Sequence, residues 1–401
     1  MRDETRGADL TIVNGLIFDG SSPELTEGSL TVADGRIAEI GAGRERGRVV
    51  DARGGTILPG LIDAHFHAYG VSLDTLAIAA GPLSYVALKG ATRLEAALRR
   101  GFTTVRDVAG GDPGIAKAAA EGLFPSPRYL YTGPALSQTG GHGDPRPGDW
   151  DVCVCGAHMA EVVDGIEPLR RAVRDRFRAG AHAIKMMTSG GVVSPSDPIR
   201  VPQFSAEEVR LVTAEAGRRG SYVAAHAYSP EAIRHSIDNG VRSIEHGNLL
   251  DRETAEAMAA AGAYLVPTLV TYHAMERRGP DLGLAAVSQA KNAEVLEAGL
   301  TAVETARRAG VAIGFGSDLM GPLQDEQLDG LRLQCEVDGV LNTLRSATTV
   351  NAQLLGRDDL GRISVGAVAD LVVLPGNPLE NPSVLWADHD GRSVIRSGCV
   401  V

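Results

Sequence analysis

Two histidines separated by one residue end an apolar segment near the start of the chain. His65 and His67 follow a Pro-Gly turn signal and a short apolar run that predicts a buried strand. Side chains two apart on a strand project from the same face, so both imidazoles would point the same way. Two imidazoles aimed together from a strand end make half of a metal site. Two solvated histidines are the alternative for this pair alone, so the interpretation depends on partners elsewhere.

Further side chains that can ligate a metal end other short apolar segments. Each segment follows a helix-like stretch, and the residues near their C-terminal ends are Lys185, His226, His246 and Asp318. A lone histidine on such a strand is usually a core residue with its hydrogen bonds satisfied. Five ligand-type residues and one lysine in equivalent places are hard to explain as separate accidents. Together they predict one site.

Lys185 is an unexpected member of this set, because a protonated ammonium repels a dication and cannot ligate it. A buried lysine can lose its proton, however, and a neutral amine can react with carbon dioxide to give a carbamate that bridges two metals. Two zinc ions bring four positive charges, which neutral imidazoles do not offset. A carbamate, the Asp318 carboxylate and a bridging hydroxide would lower that total to one. The alternative is a plain buried lysine paired with a carboxylate.

This arrangement resembles the binuclear-metal branch of the amidohydrolase superfamily. The match consists of the His-x-His pair, the lysine, two single histidines and the aspartate in that order, spaced 41 residues from Lys185 to His226 (226 − 185) and 20 from His226 to His246 (246 − 226). Segments 184–191, 225–228, 244–247 and 140–144 resemble those of prolidase-like and ochratoxinase-like peptidases, and imidazolonepropionase is a more distant relative. The resemblance covers nearly the whole chain and implies a homo-oligomer.

The expected chemistry follows from these ligands. His65, His67 and Asp318 hold one zinc ion, His226 and His246 hold the other, and carboxylated Lys185 bridges them. Manganese or cobalt would suit the same ligands. A hydroxide shared by the two metals attacks an amide carbonyl, and Asp318 passes the proton of the attacking water to the departing nitrogen.

The alternation of strand-like and helix-like segments predicts an α/β fold. Strands are expected near 60–67, 102–107, 128–134, 182–188, 222–227, 242–246, 264–268 and 312–318, with Ala/Arg/Glu-rich helices between them. Eight such units describe a (β/α)₈ TIM barrel over residues 59–362, whose function lies at the C-terminal strand ends. Residues 1–58, with the turn pair Asp34-Gly35, and residues 363–401 are expected to form one small β-sandwich. The resemblance implies the same architecture.

The segment 137–166 is long, rich in glycine and proline, and without clear periodicity, as functional loops often are. It contains His142, Asp144 and Trp150, and we expect it to lie over the barrel mouth with His142 holding the substrate or its oxyanion. Tyr228 lies two residues after His226 and would point into the same pocket, where its phenol could donate to a substrate carboxylate or carbonyl. A solvated loop and a tyrosine packed at the strand end are the alternatives.

Composition fits a cytoplasmic enzyme. The chain has 401 residues, 44% hydrophobic and 22% charged, which suffices for a large core. A net charge of −11 argues against nucleic acid or an anionic membrane as partner. The start of the chain lacks the apolar stretch of a secretory signal. The four cysteines are scattered, which fits a reducing compartment. The Cys153-x-Cys155 pair could be half of a soft metal site, but no second cysteine pair completes it, so two loop thiols are the preferred interpretation.

The loop and His-Ala-Tyr motifs favour a dipeptide or an N-acyl amino acid as substrate, cleaved at its C-terminal residue. A free substrate carboxylate could contact Tyr228, His142, or an arginine such as Arg106 or Arg200. The sequence does not identify the leaving amino acid. One alternative is hydrolysis of a cyclic amide or heteroaromatic substrate, as in imidazolonepropionase or the deaminases, which work with one metal and without the lysine. The other is a non-catalytic scaffold, which would have lost metal ligands.

Overall fold

The two ends of the chain pair with each other in one sheet. The computed structural model describes residues 9–41, 45–146, 148–149, 158–194, 197–387 and 391–401. Eight strands form this terminal sheet in the order β18-β17-β16-β5-β1-β2-β3, and β4 also pairs with β1. Their bounds are Leu10–Ile17 (β1), Thr26–Ala33 (β2), Arg36–Ile40 (β3), Arg48–Asp51 (β4), Thr56–Pro59 (β5), Leu371–Leu374 (β16), Ser393–Arg396 (β17) and Cys399–Val400 (β18).

The joining of the two ends rests on the antiparallel pairing of β5 with β16, in which Pro59 lies opposite Leu371. Apolar residues from both ends bury one shared cluster, which includes Leu10, Ile12 and Ile395. The predicted turn between β2 and β3 is confirmed, because Asp34 and Gly35 both have positive φ, at 50° and 73°. Hydrogen bonds join these eight strands into a single sheet. The predicted boundaries of the β-sandwich, residues 1–58 and 363–401, stay a prediction.

All strands between the two ends are parallel to their neighbours. They form a three-stranded sheet, β6-β7-β8, and a seven-stranded sheet, β10-β9-β11-β12-β13-β14-β15. Their bounds are Leu61–Phe66 (β6), Phe102–Asp107 (β7), Arg128–Tyr131 (β8), Ala135–Ser137 (β9), Ala160–Val162 (β10), Ile184–Met187 (β11), Val223–Ala227 (β12), Ser243–His246 (β13), Tyr264–Val266 (β14) and Ala312–Ile313 (β15). Strands β6, β7, β11, β12 and β13 are buried along their whole length, as parallel strands covered on both faces are.

Two backbone hydrogen bonds link the parallel sheets to each other. The amide of His182, just before β11, donates to the carbonyl of Tyr131 at the end of β8, with 2.7 Å between N and O. The amide of Ala64 in β6 donates to the carbonyl of Phe315, just after β15, over 2.9 Å. Strands β6, β7, β8 and β11 to β15 therefore follow one another in space in the order in which they occur in the sequence, whereas β9 and β10 extend the sheet beside β11.

Helices separate the parallel strands. Their bounds are Thr75–Ala80 (α1), Leu83–Arg99 (α2), Pro113–Ala120 (α3), Ile166–Arg178 (α4), Ala206–Gly217 (α5), Pro230–Ile237 (α6), Arg252–Ala260 (α7), Leu269–Arg278 (α8), Ala286–Ala309 (α9), Asp329–Asp338 (α10), Val340–Arg345 (α11) and Asn351–Leu354 (α12). Their starts follow local chemistry: Ser205 and Glu208 form a capping box at α5, and Asp112 caps α3 ahead of a proline. Among the described residues, no helix is both long and apolar enough to cross a bilayer.

Several predicted strands are shorter than expected, and in two of them a local feature accounts for the difference. The strand predicted at 128–134 ends at Tyr131, because Gly133 adopts a φ of 71° and breaks the extended backbone before β9. The strand predicted at 312–318 ends at Ile313. Beyond it, the side chain of Asn351 bonds both the amide and the carbonyl of Phe315. Asp318 therefore lies on a loop that is held by the Asn351 side chain and by single backbone bonds to β6.

Candidate functional site

The six predicted site residues line one cavity of about 370 Å³. They come from different parallel strands: His65 lies in β6, Lys185 in β11, His226 in β12, and His246 is the last residue of β13. Of the other two members, His67 directly follows β6, and Asp318 lies on the loop after β15. Because parallel strands present their C-terminal ends at one edge, residues far apart in sequence meet there. The prediction that these side chains share one site agrees with this placement.

The side chains that could ligate a metal are in mutual contact. The imidazole centroids lie 5.1 Å apart for His65 and His67, 5.0 Å for His65 and His246, and 4.4 Å for His226 and His246. The Oδ1 atom of Asp318 is 2.8 Å from Nε2 of His67 and 3.3 Å from Nε2 of His65. One ligand atom from each of His65, His246 and Asp318 falls within 4.8 Å of the others, so these three residues could hold a metal ion.

The amine of Lys185 is buried at this cavity, and within the described part of the chain it has no hydrogen-bond partner. The alternative interpretation required a carboxylate paired with this lysine, and the described residues place none within salt-bridge distance of it. Burial lowers the pKa of the Lys185 amine from 10.5 to about 8, although the negative charges of Glu245 and Asp318 oppose that shift. A substantial share of this amine is therefore neutral near physiological pH, which is the form that reacts with carbon dioxide.

The protonation states of the other groups also suit metal ligation. Burial lowers the pKa of both His226 and His246 well below the usual value, so these imidazoles are neutral and keep a lone pair. Burial by itself would raise the pKa of Asp318, but the neighbouring His65 and His67 outweigh it and hold that pKa well below its usual range. The cavity thus offers neutral imidazoles and an ionised carboxylate.

Three residues at or beside this cavity have a strained backbone. His246, Thr268 and Asp318 have positive φ values of 75°, 46° and 53°, a region that costs non-glycine residues energy. Such strain persists only where the surroundings enforce it. The Asp318 amide is held by the carbonyl of His65 at 2.8 Å, and the Asp63 carboxylate accepts from the amides of His65 and Ser317. These bonds fix the loop that carries Asp318 against β6.

Glu245 is a site residue whose role the sequence did not reveal. Its Oε2 atom lies 2.7 Å from Nδ1 of His65, and its Oε1 atom accepts a hydrogen bond from Nη2 of Arg106 at 2.8 Å. A carboxylate on Nδ1 fixes the imidazole orientation and leaves Nε2 facing the cavity. A signal was available, since a carboxylate next to His246 in an otherwise apolar run must find a partner when buried.

The two arginines expected as partners of a substrate carboxylate do not reach the cavity, so that expectation was wrong. Arg106 is fully buried inside the sheets, where it contacts Glu245 and the carbonyl of Ala64. Its guanidinium contacts Ser243 and Glu245 on β13 and is not part of the cavity lining. Arg200 is exposed and forms an ion pair with Glu294 at 2.9 Å. The cationic side chain that does line the mouth is Arg146, paired with Asp144 at 2.6 Å.

The Arg106→Met variant is expected to be destabilised by about 3–5 kcal/mol, because it leaves the Glu245 carboxylate buried without its cation. Urea unfolding of the purified variant measures this loss. Arg242→Met is the matched control: that guanidinium lies over the Tyr222 ring at 5.3 Å, and its removal should cost about 1 kcal/mol. An Arg106→Met loss no larger than that of the control would contradict the structural role assigned to this ion pair.

His142 and Tyr228 both line the cavity, as predicted from their motifs. The His142 ring stacks on that of His226 with 4.2 Å between centroids. The Tyr228 hydroxyl is 2.9 Å from that of Tyr272, which in turn lies 2.9 Å from Nδ1 of His246. The described part of the loop 137–166 therefore forms one wall of the cavity rather than a solvated surface. Trp150, Cys153 and Cys155 of this loop lie outside the described residues.

Comparison with known proteins places this site in a family. The sequence pattern of the Amidohydrolase family matches residues 56–401. Ochratoxinase of Aspergillus niger is 33% identical over 429 aligned positions, which cover 98% of this chain and 87% of that protein. Its crystal structure is similar with a TM-score of 0.88 and 30% identity, over 98% of this chain and 95% of that one.

Two peptidase structures are also similar. A prolidase in complex with N-methylphosphonate-L-proline has a TM-score of 0.95 and 41% identity, over 98% of this chain and 99% of that one. A Xaa-Pro dipeptidase with methionine bound in its active site has a TM-score of 0.87 and 30% identity, over 98% and 100%. All six predicted site residues fall within the matched range 56–401. The chain therefore belongs to the amidohydrolase family, and it is a hydrolase that acts on amide bonds.

Proposed function

We propose that this protein is a two-metal amide hydrolase that cleaves a dipeptide or an N-acyl amino acid next to its C-terminal residue. The observation that carries the proposal is the meeting of four imidazoles, one carboxylate and a buried amine, which has no partner in the described part of the chain, in a single cavity. The two sheets are proposed to close into a (β/α)₈ barrel formed by β6, β7, β8 and β11 to β15. The inter-sheet bonds from His182 and Ala64 support that closure.

The donor set fits two divalent cations. His65, His67 and Asp318 would hold one ion, His226 and His246 would hold the other, and Lys185 would contribute its carbamate as a further anionic ligand. The fit rests on the Lys185 amine, which has no partner among the described residues, on the lowered pKa values of His226 and His246, and on the ionised Asp318. Imidazole and carboxylate ligands suit zinc and also accept manganese or cobalt. When bound, such ions lower the pKa of water and polarise a carbonyl oxygen.

Side chains of the protein carry out proton transfer and substrate binding. Asp318 is the base that takes the proton from the attacking water and passes it to the departing nitrogen, since an amide anion is too poor a leaving group to depart unprotonated. Its Oδ1 atom is already within bonding distance of two imidazoles, so it faces the reacting centre. His142 and Tyr228 hold the substrate at the cavity wall, and Tyr272 orients the Tyr228 hydroxyl.

Cavity size and the related enzymes support the substrate class. A volume of about 370 Å³ lies at the small end of ligand sites, which typically span roughly 300–1,000 Å³. The similar structures hold N-methylphosphonate-L-proline in a prolidase and methionine in a Xaa-Pro dipeptidase. Both ligands carry an amino-acid carboxylate, the group that His142 and Tyr228 are placed to receive. An ochratoxin-type amide fits the same layout.

A substrate panel tests this proposal. Dipeptides and N-acyl amino acids that vary only in the C-terminal residue should be hydrolysed by the metal-replete protein. The same compounds with the carboxylate converted to a carboxamide should lose about 10–1,000-fold in kcat/KM, because a buried polar site is then left without its partner. Turnover that does not depend on the free carboxylate would overturn the assigned substrate class.

Metal analysis of the same sample separates the alternatives. Two equivalents of metal per chain are expected. One equivalent with turnover of cyclic amides or heteroaromatic amines would favour the imidazolonepropionase-like or deaminase-like function. Bound metal without turnover of any compound in a broad amide panel would favour a non-catalytic scaffold.

A further inference from the structure

A second lysine next to the cavity has an unusual environment. The chain contains four lysines, of which Lys89 and Lys117 are exposed on α2 and α3. Lys185 lies in the cavity. The fourth, Lys291 on α9, has a side chain only 14% exposed and lies behind the cavity wall rather than in the cavity lining. A cationic side chain that is largely withdrawn from water needs compensating partners.

Within the described part of the chain, the hydrogen-bond and ion-pair partners of Lys291 all belong to one loop. Its Nζ atom donates to the carbonyl oxygens of Gly191, Ser194 and Asp197, over 3.0, 2.7 and 2.7 Å. The carboxylate of Asp197 lies 3.8 Å away and supplies the opposite charge. An ammonium group has three N–H donors, and here each has a carbonyl to meet. The loop therefore forms a small oxygen-lined cation site, and the lysine fills it from the neighbouring helix.

The same loop supports His142. The Ser194 hydroxyl lies 2.7 Å from Nδ1 of His142 and also donates to the Asp197 carboxylate. The carboxylate is itself 3.6 Å from Nδ1 of His142. The loop backbone touches the ring as well, since a Cβ atom added to Gly191 would lie 2.2 Å from Cε1 of His142. A shift of this loop would thus move the His142 ring from its place against His226.

We propose that Lys291 is a positioning residue for substrate binding: by filling the cation site formed by Gly191, Ser194 and Asp197, it holds His142 at the cavity wall. This role rests on the proposed function, in which His142 contacts the substrate. An ordinary surface ion pair contributes little, because water competes for both partners. Lys291 differs because three short bonds to carbonyls and a carboxylate replace its hydration. Without it, three carbonyl oxygens face each other with no donor between them.

The test is chemical rescue of the Lys291→Ala variant. Its KM for the best substrate of the panel is expected to rise about 10–100-fold, the factor associated with hydrogen bonds to a charged group. Its kcat should change much less, and its metal content should stay at the wild-type level. Ammonium chloride should lower the KM most of the way back to the wild-type value, because a free ammonium ion can occupy the vacated site. Tetramethylammonium chloride at equal ionic strength should not, since it has no N–H donor.

Lys117→Ala, which removes an exposed lysine, is the matched control and should behave as wild type in every assay. A Lys291→Ala variant with unchanged KM would overturn the proposal. So would a KM that recovers equally in ammonium and tetramethylammonium salts, because that result would indicate a general salt effect.

Hydrogen exchange separates this inference from the proposed function. In Lys291→Ala, amides of the loop around Gly191 should exchange about 10-fold faster or more, and ammonium should restore their protection. That measurement needs no substrate. If the wild-type protein hydrolysed none of the panel, the proposed function would fail while the loop exchange still tested Lys291. Equal exchange in the wild type and the variant would overturn the role of Lys291, whatever the substrate.

Discussion

Lys185→Met is expected to lose about three or more orders of magnitude in kcat/KM together with most of its bound metal. Methionine preserves the volume and the apolar stem of the lysine, so the fold should tolerate it in this buried position. It cannot form a carbamate, however, and two cations would then face neutral imidazoles with only Asp318 to offset their charge. Without the carbamate, the positive charge of the two cations is not neutralised and the cations are not held close together. Two-metal catalysis depends on both.

Metal analysis and kinetics of Lys185→Met, measured beside Lys89→Met, check this expectation. Lys89 is exposed on α2, so its variant should keep wild-type metal content and activity. Lys185→Ala provides a second measurement: acetate or propionate in the buffer should partly restore metal and turnover, because a small carboxylate can take the place of the carbamate. A Lys185→Met protein that retains two equivalents of metal and full activity would refute the carbamate.

Asp318→Asn is expected to reduce kcat by about 10²–10⁴-fold, the usual contribution of a general acid–base residue. The asparagine side chain has the same shape, and its oxygen can still meet His65 and His67, so much of the metal should remain bound. It cannot accept and return a proton, so the departing nitrogen would have to leave without help.

The measurement is kcat on the best substrate with metal content determined on the same sample. Asp281→Asn, an exposed position outside the cavity lining, serves as the control and should be indistinguishable from wild type. Near wild-type turnover in Asp318→Asn would show that another group transfers the proton, and Tyr228 and His142 would be the next candidates.

The ligand set could be read from the sequence because it depends on local features. His65 and His67 were placed on one strand by the period of two, and the order of the other ligand-type residues followed the order of the strands. Parallel strands align their C-terminal ends, so the meeting of these side chains follows once the alternating pattern is recognised. All six residues line one cavity, as do His142 and Tyr228, and their role as metal ligands stays a prediction.

The sequence was less informative where contacts join distant segments. The assignment of Arg106 to a substrate carboxylate failed because its partner, Glu245, lies 139 residues away, and no local pattern links them. The end of the last strand was misjudged for the same reason: the Phe315 amide donates to the side chain of Asn351, 36 residues away, instead of to a strand. Strand propensity contains no information about such long-range contacts.

The sequence by itself determined which side chains come together, their order, and the parallel framework that carries them. Only the tertiary structure decided how those side chains are held. The bond between His65 and Glu245, the bond from the Asp318 amide to the carbonyl of His65, and the bond from Lys291 to the carbonyl of Gly191 all join segments distant in sequence. The physical reason is that residue type and periodicity are local properties, whereas the position of a buried polar group depends on whichever partner folding brings within about 3 Å.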